Sequence, residues 1–332
     1  MPSRTLPIHF LQRMLRMSER RGLDAQPVLR AAGIAPDLVG QRQARVTLDQ
    51  MVALTRALWD ATEDEMFGLG PPAPLGTTYL VALAAIHAPD LRGVLTRVSR
   101  ASKVIGGVPP LRVDAGRDLT RIEMRMDRID DAEHLLTELL LAMIHRFGSW
   151  MIGRRIALRA AEFPYPQPEH VAAYDVIFGC IPTFDADHAA VVFDSGLLTA
   201  PVVRTEDDLC RFLRDAPMAW YETRDYGSTP AEQVRSILER GLSGRWPTSA
   251  EIAARLTVSP QHLRRLLREQ STSISRIREE ILRDAAIAAL TRGEESVDEL
   301  AVRLGFADAG GFRRAFRRWT GSPPGAYRSG SD

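Results

Sequence analysis

The C-terminal third of the chain contains one pattern twice, and no other feature limits its fold so tightly. From Thr248 the sequence runs TSAEIAARLTV and then PQHLRRLLRE; from Ser296 it runs SVDELAVRLGF and then AGGFRRAFRRWTG. A step of 48 positions carries Thr248 onto Ser296, Glu251 onto Glu299, Ala253 onto Ala301, Arg255 onto Arg303 and Leu256 onto Leu304. Beyond the turn the step becomes 49, so Leu263, Arg264, Arg265 and Leu267 fall on Phe312, Arg313, Arg314 and Phe316. Each copy opens with Ser or Thr three residues before Glu, a spacing that lets hydroxyl and carboxylate each satisfy a free N–H at a helix start. A short helix, a turn and a second helix bearing adjacent arginines follow. The two helix–turn–helix units span 248–270 and 296–320, and Ile274–Arg292 between them reads as one helix. Its 19 residues make a rod about 28 Å long.

The chemistry of the second helices points to a nucleic acid. In the first copy Ser259 and Pro260 stand as N-cap and N1. The spacing turns Leu263, Leu266 and Leu267 inward and offers Gln261, Arg264, Arg265 and Arg268 to solvent. Gln can pair with adenine and Arg with guanine, each contact giving about 1–3 kcal/mol of discrimination. The second copy offers Ala309, Arg313, Arg314, Arg317 and Arg318; from 308 to 328 five Arg face one Asp, while the whole chain carries only +1. Local clustering of this kind is the footprint of phosphate binding. The near-neutral total argues against a ligand-independent architectural protein that coats DNA. Lys103 is the single lysine, so contacts fall to Arg, whose planar fork suits bidentate recognition. Two recognition helices on a 28 Å rod match successive major grooves, about 34 Å apart.

The rest of the chain reads as α+β, with a helical start and a sheet of about five strands. Residues 1–103 read as helical: Ile8, Leu11, Met14 and Leu15 share a face, Asp24 caps a short helix, and Thr47 with Gln50 caps another before Met51, Leu54 and Leu58. The period then changes. LRVDA and LTRIEMRM alternate about Gly116-Arg117, a hairpin; Asp130 is placed to cap the apolar helix HLLTELLLAMIHRFGSWMI. RIALRAAEF, PTFD and AAVVFD read as strands, with a helix around 169–179. The expected division is a first domain over 1–226, helical to 103, α+β over 104–204 and a helical connector over 205–226. A second, all-helical domain spans 229–332, with RDYGSTP (224–230) as the linker.

No enzyme constellation is present: no HExxH, no GxSxG, no P-loop and no GxGxxG after a strand. An enzyme fused to a DNA-binding tail would need a catalytic cluster before residue 227, and the sequence offers none. No motif calls for a cofactor or a metal; Cys180 and Cys210 lack metal spacing and suggest a reduced, cytoplasmic setting. The longest apolar stretch, Tyr79–Ile86, falls far short of the about 20 residues a membrane helix needs. On the helix over 131–151, His134, Glu138 and His145 lie within about 40° of one another at 100° per residue. The plain reading is a solvated edge; the sharper one is the wall of a pocket for a polar effector.

The segment LAVRLGFADAGGFRRAFRRWTGSPPGAYR resembles the signature of AraC/XylS-type transcription regulators, and the resemblance covers about 235–328 closely. Residues 160–203 are similar to the ligand domain of one branch, the regulators of the ornithine-utilisation type. The resemblance implies an N-terminal sensory and dimerisation domain and a C-terminal reader of double-stranded DNA. It implies an activator, a small-molecule effector and contact with RNA polymerase. By position in the motif, Gln261, Arg264 and Arg265 would read bases in one groove, and Ala309, Gly310, Arg313 and Arg314 in the next. Arg268, Arg317 and Arg318 would hold phosphates. Three departures stand out. Thr257 and Ser271 occupy positions where Gly is usual, so the first turn uses right-handed geometry or Thr257 carries strain. Gly310 and Gly311 leave the second recognition helix without a hydroxyl at its start.

Overall fold

The computed structural model describes residues 5–168, 171, 174, 177–214, 229–240, 246–293 and 295–328. Short helices and a ribbon alternate at the start: β1 (Thr5–Pro7), α1 (Ile8–Arg20), α2 (Ala25–Ala31), α3 (Pro36–Val39), β2 (Arg45–Thr47) and α4 (Leu48–Thr62). Asp24 caps α2 by accepting from the N–H of Gln26, and Thr47 and Gln50 exchange side-chain-to-backbone bonds before α4. The ribbon departs from the helical expectation for 1–103. β1 and β2 pair antiparallel, with Thr5 opposite Thr47 and Pro7 opposite Arg45. Strands of three residues are too short to show an alternation.

Next come α5 (Thr77–Ile86), α6 (Leu91–Val104), β3 (Leu111–Ala115), β4 (Leu119–Met124), α7 (Leu135–Met151), β5 (Leu158–Glu162), β6 (Ala189–Asp194) and α8 (Glu206–Arg214). The expected hairpin forms, and the antiparallel sheet runs β3-β4-β6-β5. Among the described residues it has four strands where about five are predicted. PTFD does not become a strand; Thr183 makes one bridge to Glu162, with the N–H of Phe163 donating to its carbonyl at 2.9 Å. The α7 cap also differs. Asp131, not Asp130, accepts from the N–H groups of Leu136 and Thr137, because His134 enters the helix in a left-handed conformation with φ 56°.

The C-terminal elements are α9 (Pro230–Glu239), α10 (Ser249–Arg255), α11 (Pro260–Glu269), α12 (Ile274–Arg292), α13 (Val297–Arg303) and α14 (Ala309–Thr320), closed by a 3-10 turn at Pro324–Tyr327. Most of the expected linker over 224–230, and much of the helix expected around 169–179, lie outside the described residues.

The chain divides into two units, one of residues 13–23 and 55–224, the other of 1–12, 24–54 and 225–332. In the first, α7 packs on β6 and buries Leu135, Leu136, Leu140, Leu141, Trp150 and Met151. Phe163, Tyr165, Tyr174, Phe178 and Phe184 form a ring cluster, and Trp150 stacks on Phe212 at 4.4 Å. In the second, Val234, Ile237, Leu238, Ile252, Leu263, Leu267, Ile277 and Ile281 make one core. The other half of α12 carries the buried Ala286, Ile287, Ala289 and Leu290; Phe312, Phe316 and Tyr327 are buried too, the last two edge to face at 5.2 Å. Replacing either Phe by Ala would cost about 3–5 kcal/mol.

Candidate nucleic-acid interface

Both capping boxes form as the spacing predicts. Thr248 donates its backbone N–H to Glu251 at 2.7 Å and its hydroxyl accepts from the Glu251 N–H at 3.2 Å; Ser296 and Glu299 repeat this at 2.7 and 3.1 Å. Hydrogen bonds from the backbone and hydroxyl of Ser296 hold the Glu299 carboxyl below its ordinary range. Each box starts the positioning helix of one unit, α10 or α13, with a turn and a recognition helix beyond. Ser259 and Pro260 start α11 as N-cap and N1.

On α11, Leu263 and Leu267 are buried and Leu266 is half-buried, while Gln261, Arg264, Arg265 and Arg268 are exposed. Arg265 lies beside His262, with Nη2 3.2 Å from Nδ1, and 3.7 Å from the carboxylate of Glu269. On α14, Arg313, Arg314, Arg317 and Arg318 are exposed; Ala309 and Gly310 are half-buried at its first turn. Arg313 pairs with Asp298 at 3.3 Å and Arg318 with Glu279 at 3.0 Å. Exposed pairs of this kind contribute about 0–1 kcal/mol, so a nucleic acid can replace them. The start of α14 is not bare. Asp308 accepts from the Gly311 N–H at 2.6 Å, and a Cβ at Gly310 would lie 3.0 Å from that carboxylate. The glycines give Asp308 room to cap.

Sequence reasoning passed over Arg278, whose guanidinium lies 4.6 Å over the ring of Trp246. The available signal was a Trp just ahead of the first capping box. It also passed over the tie between the N-terminal ribbon and α12. Thr5 donates to Asp284 at 2.6 Å, Arg45 donates to Thr5, and the N–H of Arg45 donates to the Tyr327 hydroxyl at 3.1 Å.

Of the three residues predicted to face an effector, Glu138 and His145 are buried and His134 is half-buried, which overturns the solvated-edge reading for the first two. Glu138 is 3% exposed and takes a two-pronged bond from Arg13 at 2.7 and 2.8 Å. The hydroxyls of Tyr165 and Tyr174 also donate to it. Burial lowers the pKa of Arg13, but bonding and charge from Glu138 outweigh it and the net shift is upward. Burial, then the Glu138 charge, pushes both tyrosines well above their ordinary range. His134 stacks on Tyr165 at 4.1 Å. His145 is 8% exposed, with Nε2 2.7 Å from the Ile156 carbonyl. Among the described residues no group of three His, Cys, Asp or Glu could hold a metal, and no helix is long and apolar enough to cross a membrane.

Two helix–turn–helix units of matching design on one connecting helix, in a chain that also carries an α+β unit, define a transcription regulator with a ligand-binding domain and a DNA reader. Residues 22–202 match the arabinose-binding N-terminal domain of AraC transcription regulators, and residues 252–330 match a helix-turn-helix domain. The chain belongs to the AraC-type transcription regulators. It is 24% identical to the ornithine utilization regulator of Pseudomonas aeruginosa, over 97% of this chain and 96% of that protein. It is 25% identical to the transcriptional regulator VirS of Mycobacterium tuberculosis, over 93% and 92%. Among solved structures, the regulator CdpR from Pseudomonas aeruginosa aligns over 98% of this chain and 99% of its own, at 18% identity and a TM-score of 0.30.

Proposed function

We propose that the chain is a cytoplasmic transcription activator, working as a homodimer. A small molecule bound by residues 13–23 and 55–224 would change how the reader engages double-stranded DNA or RNA polymerase. The observation that supports base reading is the exposure of Arg265 on α11 and of Arg314 on α14, at matching places in two like units, with Gln261 and Arg313 exposed on the same helices. Ala309 and Gly310 lie against the second groove, and Arg268, Arg317 and Arg318 hold phosphates. Selection from a random duplex pool with the full chain tests this. Arg265→Ala should relax the preference at one base pair by about 1–3 kcal/mol, and Arg317→Ala should weaken all sequences alike. The same pattern of loss from both substitutions would remove the assignment of roles.

For the effector, the relative named for ornithine utilization makes cationic amino acids the first panel to try. Glu138, with His134 at its rim, is the proposed contact for a cationic group, which would take the place of Arg13. His145, held by the Ile156 carbonyl, is proposed to shape the wall without touching the ligand. An effector that binds the folded form raises the melting temperature by mass action, and Glu138→Gln should abolish that rise.

A further inference from the structure

Arg264, Arg268 and Arg278 line a single cleft of about 570 Å³ in the first helix–turn–helix unit. Leu238, Pro247, Leu267 and Ile274 supply apolar lining, and the remaining lining residues are the hydroxyl-bearing Thr248, Ser249, Thr272, Ser273 and Ser275. No Asp or Glu is among the described residues that line it. Other arginines within residues 225–332 pair with carboxylates: Arg235 and Arg276 with Glu280, Arg283 with Asp284, Arg303 with Glu295. The three in the cleft have no ion-pair partner among the described residues. Arg278 is held instead by the face of Trp246, which fixes the cation without neutralising it.

Three guanidinium groups gathered without a counter-charge repel one another, so the cleft favours an anion with several acceptor oxygens. It opens beside the start of α12, a 19-residue helix whose N-cap Ser273 bonds the N–H of Arg276. The N–H groups of Ile274 and Ser275 ahead of it have no partner within the helix, and the helix dipole adds to the positive field there.

The place of Arg264 on α11 decides which anion. At 100° per residue Arg264 lies about 60° round the helix from Gln261, on the side of Leu267. Arg265 lies about 40° from Gln261 on the opposite side. Gln261 and Arg265 therefore share the edge that would enter a groove. Arg264 leans off that edge toward α12, where the DNA backbone flanking the groove would run. We propose that the cleft seats one backbone phosphate of the DNA duplex, and that Arg264, with Arg268 and Arg278, positions α11 in the groove instead of reading a base. The motif position assigned Arg264 to bases; the cleft assigns it to the backbone. The inference rests on the chain being a DNA-binding regulator.

The experiment uses the full chain and a duplex selected by it from a random pool. Arg264→Ala and Arg278→Ala should each weaken that duplex about tenfold, reduce the slope of log affinity against log salt by about one, and leave the selected base preferences unchanged. A scan of the duplex with single neutral methylphosphonate linkages should find one linkage that costs the unaltered chain about tenfold and costs Arg264→Ala nothing further. A base preference altered at one position with an unchanged salt slope would make Arg264 a base reader and overturn the proposal. It is also overturned if no single linkage matters while inorganic phosphate, at fixed ionic strength, raises the melting temperature in an Arg278-dependent way, since the cleft would then hold a free anion. Failure of the regulator reading looks different: the unaltered chain would select no sequence, and both readings would fall together.

Discussion

Thr257 takes a φ of 57° at the turn of the first helix–turn–helix unit, the place that Gly305 fills in the second with a φ of 81°. The sequence left two geometries open for Thr257, and the left-handed one is adopted. A β-branched residue there costs about 1–2 kcal/mol, because its Cβ crowds the following carbonyl. Gly305 has open space where a Cβ would stand, so the shared requirement is the backbone angle. Thr257→Gly should stabilise the chain by about 0.5–1 kcal/mol after allowing for the freer unfolded glycine. Urea denaturation measures this, and a loss of stability would show that the Thr257 side chain contributes more than its strain costs.

Arg13 and Glu138 are 4% and 3% exposed, so removing one charge strands the other in a medium that solvates it poorly. Glu138→Gln should destabilise the full chain by about 3–5 kcal/mol. Arg13→Met combined with Glu138→Leu should recover much of that, since neither charge remains. A double variant as unstable as the sum of the singles would mean that the tyrosine hydroxyls, and not the ion pair, hold this region.

His145 supplies a pH dependence. Burial, with Arg146 and Arg155 adding to it and the Ile156 carbonyl opposing, lowers its pKa from 6.5 to about 4. The folded form then binds fewer protons than the unfolded form between those values, so its stability is complete above 6.5 and falls as pH drops toward 4. The loss attributable to His145 is about 3 kcal/mol. Urea midpoints taken from pH 7 down to 4.5 should fall less steeply in His145→Gln, and an identical slope would place the titration elsewhere.

Asp284 is the acceptor that links β1 to α12: Thr5 donates to it at 2.6 Å and Arg283 at 3.0 and 3.1 Å. Burial, then the nearby Arg283, brings the pKa of Arg45 down to about 10. Asp284→Ala leaves two half-buried cations facing each other and should cost about 2–4 kcal/mol in chemical denaturation of the full chain. Asp284→Asn keeps an acceptor for Thr5 and should cost less. Equal losses would show that the charge, not the hydrogen bond, is what α12 supplies.

The C-terminal reader was largely legible before any coordinates because its signals are local. A capping box lies within four residues, the apolar face of α11 recurs every three or four, and a duplicated pattern shows the same answer twice. The hairpin of β3 and β4 was legible for the same reason, since alternation and a Gly-Arg turn sit side by side. What the chain order hides is set by partners far apart. Thr5 meets Asp284 across 279 positions, so nothing near either residue marks the ribbon as part of the reader's unit. The helix period put His134, Glu138 and His145 on one stripe, yet it carried no information on whether Arg13, Tyr165 and Tyr174 would close over it. Arg264 shows the division within a single side chain. Helical spacing determined that it is exposed; only the packing of α11 beside the start of α12 decided that it lines a cleft with Arg268 and Arg278, because the direction of a side chain is local and its company is not.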